Sequence, residues 1–178
     1  MSFKQQLIKL NVCQDAIDWV EDRTIQQAWN DCRRGNWMLW LLEEMKEEEG
    51  WLDEKEIMLL GCWCSRRALK YMPEGETRSL KAIEAKEAWA RGEITREEMV
   101  AARPAAWAAI NDARDANAVS ATTSAASAAA SAAAWAAAWA TAKTVTWAAA
   151  CTAAWDASWV EEASIQADYI RTQFTPPV

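Results

Sequence analysis

Apolar residues recur at helical spacing along the first hundred positions. In NWMLWLLEEM, Trp37, Leu41 and Met45 stand four apart, and Trp40 joins them on the same face. Ile57, Leu60, Cys64 and Leu69 repeat the pattern toward Tyr71, and Ile165 and Tyr169 give a last short helix. Start signals precede these runs. Thr24 with Gln27 and Thr95 with Glu98 have the spacing of a capping box, and Asp53 with Glu56 opens the helix that carries Ile57. Thr77 is placed to cap SLKAIEAKEAWARGE, with Gly92 as its stop. Gly35 reads as the separator between two helices, and Pro73 with Gly75 as a break. Pro104 should bend or restart the helix that Thr95 begins.

From about residue 105 the pattern changes. Residues 121 to 140 contain 13 alanines, which makes the segment helical on propensity alone. Ser120, Ser124, Ser127 and Ser131 form a narrow stripe of small residues, read as a groove floor for a neighbouring helix. Trp135, Trp139, Trp147, Trp155 and Trp159 follow at multiples of four. Each step of four overshoots a full turn, so the five indoles sweep about 240° around an ideal helix. A helix with indoles on most of its sides must be surrounded, or must break near Thr141 to Thr146 where β-branched residues cluster. Both alternatives predict an all-α fold: a single compact helical bundle with this Ala/Ser/Trp-rich tract at its centre. The expected organisation is one domain over 1–178, with amphipathic helices over 1–104, Ala/Trp-rich helices over 105–172 and a frayed tail over 173–178.

Composition narrows the function classes. The 178 residues include 13 Trp but only 5 Gly and 4 Pro, too few turn residues for a β-protein. The net charge of −7 disfavours a nucleic-acid duplex as partner, because phosphate contacts need a basic surface. It suits a partner that is itself basic. The absence of His excludes Ser-His-Asp and Cys-His nucleophilic mechanisms. No phosphate-binding or dinucleotide glycine motif is present, so the chain reads as a non-enzyme with no catalytic residues and no cofactor. Five cysteines without a secretory signal suggest reduced thiols and a cytoplasmic protein. Cys62 and Cys64 form a C-x-C that points to opposite sides of a helix, so they read as small buried hydrophobes and no metal site is expected. The uncharged stretch between Asp115 and Lys143 is long enough to span a bilayer. Its Ala, Ser and Thr are only marginally hydrophobic, so no membrane association is expected.

Two blocks, RGNWMLWLLEEM over 34–45 and TRSLKAIEAKEAWARGE over 77–93, together with the Ala/Ser/aromatic tract, resemble the immunity proteins of the Imm-5 type. These are all-α proteins of bacteria and bacteriophages. The resemblance runs from about Cys13 to Arg171 and implies neutralisation of an effector by binding it. Asn36 stands where the family usually has Asp, and Ser79 where it usually has Pro.

The remaining chemistry is arginine among tryptophans. Arg34 precedes Trp37 and Trp40; Arg78 precedes Glu84, Trp89 and Arg91. One reading is structural, with Arg78 and Arg91 pairing Glu84 or Glu87 at helix crossings. The other is a ligand pocket built from Arg34, Trp37, Trp40, Arg78, Glu84, Trp89 and Arg91, in which indoles stack on bases and guanidinium groups hold phosphates. Two functions follow. The first is an immunity-type inhibitor docking on an effector protein or toxin. The second is an anti-defence sponge that sequesters a nucleotide-derived signal, a cyclic nucleotide or an ADP-ribose derivative. Homo-oligomerisation fits either. An ice-binding role is disfavoured, because the threonines do not keep the period of 11 that such helices use.

Overall fold

Capping boxes written into the sequence set where three of the helices begin. A computed structural model describes residues 1–69, 74–75, 77–102, 104–105, 108 and 157–177. Among them the chain forms eight helices and no strand, so the fold is all-α. These are α1 (Phe3–Lys9), α2 (Gln14–Val20), α3 (Ile25–Asp31), α4 (Gly35–Met45), α5 (Glu54–Ala68), α6 (Arg78–Ala90), α7 (Arg96–Ala101) and α8 (Ala157–Gln173). No helix among the described residues is long and apolar enough to cross a membrane. The serine stripe over 120–131 and the tryptophan sweep over 135–159 lie outside the described residues, save that Trp159 falls within the span of α8.

The contacts divide the described chain into two units. The first joins residues 1–54 to 157–177. Its α1 and α3 start on capping boxes, Ser2 with Gln5 and Thr24 with Gln27, each satisfying two otherwise unpaired backbone donors. Its core is the pairing of α4 with α8. From α4 come Trp37, Met38, Leu41 and Leu42, all buried; from α8 come Ala163, Ala167 and Ile170. The buried face of α8 thus differs from the expected one, since Ile165 and Tyr169 are only half-buried. The reason is steric. Gly35 is the first residue of α4 rather than a separator, and the backbone of α8 passes directly against it. A face that meets a backbone so closely must be built from small residues.

Arg171 ties the same helices together. Its Nη1 donates to the carbonyls of Trp29 at 3.1 Å and Cys32 at 2.6 Å, where α3 ends. A cation there satisfies orphan carbonyls and complements the negative end of the helix. The tail expected to fray is anchored instead. Phe174 packs on Trp29 and Trp51 with ring centroids 5.8 and 5.5 Å away, Pro176 is buried, and the Pro177 carbonyl accepts from Gln26.

The second unit contains α5, α6 and α7. Residues 60–62, 64 and 65 of α5 are all buried, so Cys62 and Cys64 are covered although they point to opposite sides. The Cys62 thiol donates to the Ile83 carbonyl at 3.8 Å. Thr77 precedes α6 as expected, but its backbone is helical and its side chain makes no capping bond. At the other end Gly92 adopts φ +77°, with its N–H on the Trp89 carbonyl and the Glu93 N–H on that of Ala88. That is a Schellman closure, and only a residue tolerant of the left-handed region fits it without strain. Three residues after Gly92, Thr95 and Glu98 form the capping box of α7.

Candidate functional site

The structure divides the sequence-derived site residues between the two units. Arg34, Trp37 and Trp40 belong to the first, and Arg78, Glu84, Trp89 and Arg91 to the second.

In the first unit, Arg34 is the N-cap residue of α4, in extended backbone and without a side-chain capping bond. Its guanidinium lies 4.2 Å from the centroid of the Trp37 ring. The edge of Trp19 meets Trp37 at 5.8 Å, and the Arg23 guanidinium covers Trp19 at 5.0 Å. The result is a ladder of guanidinium, indole, indole and guanidinium. Arg23 is held in place by the Trp19 carbonyl and by Glu21 and Asp31, each 3.6 Å away. Arg34 differs. Among the described residues, no carboxylate pairs with its guanidinium.

Trp19 and Trp37 of the ladder also line a small open pocket. Trp19, Trp29, Trp37, Trp40 and Leu41 line it, with the Cys32 thiol among them. Burial pushes that thiol's pKa up, against the opposing pull of its bond to the Arg34 backbone and of the Arg171 and Arg34 charges. Trp19, Arg23 and Trp29 were not singled out by sequence reasoning. The signal was present for two of them: Trp19 and Arg23 stand four apart, one helical turn.

In the second unit Glu87 and Arg91 pair with residues other than those expected. Glu87 is taken by Arg66 of α5 in a bidentate bond, 2.7 Å on both arms. That bond is the main cause of a lowered Glu87 pKa. Arg91 pairs with Glu93 at 2.6 and 2.9 Å, on the surface. Glu84 is exposed, and Arg78 is half-buried at the first position of α6. The two stand six residues apart, so they face different sides of the helix. Trp89 is buried, and the cations over its ring are Arg96 at 4.8 Å and Lys55 at 5.8 Å.

Comparison with family models, curated proteins and solved structures finds no match. The resemblance to the Imm-5-type immunity proteins therefore rests on the two sequence blocks.

Those blocks contain one further regularity. Among the described residues, the buried side-chain oxygens with no hydrogen-bond partner are Asn36 Oδ1 and Ser79 Oγ. One falls in each of the two blocks.

A different kind of feature closes α4. Glu43 and Glu44 lie in its last turn, and Glu47, Glu48 and Glu49 follow at once. Lys46 is paired with Glu43 at 2.6 Å, while Glu44 and Glu47 to Glu49 are exposed. The C-terminal end of a helix is already the negative end of its dipole. Carboxylates gathered there oppose folding instead of assisting it.

Proposed function

We propose that the protein neutralises an effector protein by docking on it, as an immunity-type inhibitor, through an acidic surface and without chemistry of its own. The observation that carries this reading is the exposed group Glu44, Glu47, Glu48 and Glu49 at the negative end of α4. Each such charge costs a few tenths of a kcal/mol or more at that place. A basic partner would recover that cost and gain speed of encounter from the field. The resemblance of residues 34–45 and 77–93 to immunity proteins points the same way. The test is co-expression with the toxic product of a neighbouring gene, paired with titration of the two purified proteins. The wild-type chain should restore growth and bind with strong salt dependence. A Glu47→Lys/Glu48→Lys/Glu49→Lys variant should remain folded and do neither. Full protection by that folded variant would overturn the acidic-surface reading.

A second reading, sequestration of a nucleotide-derived signal, would draw on the Arg34 guanidinium over the Trp37 ring. Titration with cyclic nucleotides and ADP-ribose derivatives, followed by tryptophan fluorescence, tests it directly.

A further inference from the structure

We infer that residues 174–177 form a strap that holds the acidic turn after α4 in its docking conformation, with Phe174 and Pro177 as positioning residues. The docking role rests on the acidic-surface reading; the hold of the strap on the turn stands on geometry alone.

The turn has little to hold it from within. Helix α4 ends at Met45, and Glu47, Glu48 and Glu49 follow at the negative end of its dipole. Two backbone bonds shape the turn. The Glu48 N–H donates to the Met45 carbonyl at 2.9 Å, and the Trp51 N–H to the Glu48 carbonyl at 3.2 Å. Among the described residues no cation pairs with the three carboxylates, so only solvent screens their repulsion. Gly50 leaves the turn at φ +83°, a conformation that glycine adopts without strain.

The strap lies against the two residues that leave the turn. The Phe174 ring meets that of Trp51 at 5.5 Å. A Cβ on Gly50 would stand 3.7 Å from Pro177, which is ordinary van der Waals contact. On its other side the strap is fastened to α3. The Phe174 ring meets Trp29 edge-on at 5.8 Å, and its carbonyl accepts from the Trp29 indole N–H at 3.2 Å. The Pro177 carbonyl accepts from the Gln26 amide at 3.0 Å, and Pro176 between them is buried.

The strap is also stiff. Pro176 and Pro177 have a fixed φ, and each restricts the residue before it to extended backbone. A rigid segment therefore bridges α3 and the acidic turn. A partner that contacts several carboxylates at once must order them, and a turn already held in place spares that loss.

The experiment is amide hydrogen exchange on the full chain, followed by titration with the toxic product used in the co-expression test. In Phe174→Ala the Glu48 and Trp51 amides should exchange about tenfold faster, while those of α1 and α2 keep their rates. Binding of the toxic product should weaken about tenfold. Phe174→Tyr, which keeps the ring, should restore both. If Phe174→Ala does not fold, Gln26→Ala, which removes the bond to Pro177, decides by the same exchange measurement. The inference is overturned if exchange at Glu48 and Trp51 is unchanged, or if it rises by the same factor in α1 and α2. It is also overturned if binding keeps its strength while the turn loosens. Exchange involves no partner, so a failure of the strap is distinct from a failure of the acidic-surface reading. The latter shows as full binding by a folded Glu47→Lys/Glu48→Lys/Glu49→Lys variant, and it removes the docking role even where the exchange result holds.

Discussion

Gly35 and Gln166 are packed so closely that a Cβ on Gly35 would stand 2.6 Å from the Cβ of Gln166. The next nearest atoms are backbone, Ala167 N at 3.1 Å and Gln166 C at 3.2 Å. None of these is the free end of a flexible side chain. Gly35→Ala improves helix propensity by about 1 kcal/mol, yet it forces α4 and α8 apart. The overpacking term is larger, so the variant should lose about 1–2 kcal/mol net. Urea denaturation checks this, and a more stable Gly35→Ala protein would show that the helices are not in contact there.

Ser79→Ala should stabilise the protein. The Ser79 hydroxyl is buried with no partner among the described residues. Removing an unsatisfied buried hydroxyl recovers about 1 kcal/mol, and alanine adds a small gain in helix propensity. A lower melting temperature would reveal a partner for the hydroxyl.

The Arg66–Glu87 pair makes stability depend on acid. The bond to Arg66 lowers the Glu87 pKa below the ordinary 4.5. A carboxylate with a depressed folded pKa contributes stability above its unfolded value and loses it as pH falls through the folded one. Arg66 is 42% exposed, so the pair is worth about 1 kcal/mol or less. Glu87→Gln should therefore cost up to that amount at neutral pH, and the difference from wild type should shrink as pH falls below 4.5 and through the lowered folded value. A gap that persists unchanged in acid would mean the loss is one of packing.

The thiols should separate by reactivity. Cys62 and Cys64 are buried, and burial pushes the Cys62 pKa from 9.0 up to about 11. Cys13 is only half-buried. Under native conditions a thiol reagent should modify Cys13 well before Cys32, Cys62 or Cys64, read by mass spectrometry of peptides. The same shift has a thermodynamic sign. A thiol whose folded pKa is raised stabilises fully below its unfolded value. That contribution is lost as pH climbs from about 9 towards 11.

What could be read from the sequence was local. The boxes at Thr24 and Thr95 and the closure at Gly92 need only residues within one turn, and all three are in place. Arg34 and Trp37 meet for the same reason, being three apart. Contacts between distant segments were not legible. Gly35 looks like a break until α8 is placed against it, and the choice of Ala163, Ala167 and Ile170 over Ile165 and Tyr169 depends on that placement. Arg66 and Glu87 lie 21 residues apart on different helices, and no periodicity couples them. The division of the candidate residues between two units is likewise a property of chain topology.

The first unit is closed by residues from far apart in the chain: Trp29 waits for Phe174, 145 positions later. Ribosomes add about 5–20 residues per second, so some 7–30 s separate the synthesis of these two rings. Throughout that interval α1 to α4 present Trp29, Trp37 and Leu42 without the helix that covers them. The second unit lies wholly within the interval and can close while synthesis continues. A nascent chain of this protein thus carries a finished half and an open half at once. The open half is the one a chaperone would recognise, and a chain released early would never shed it.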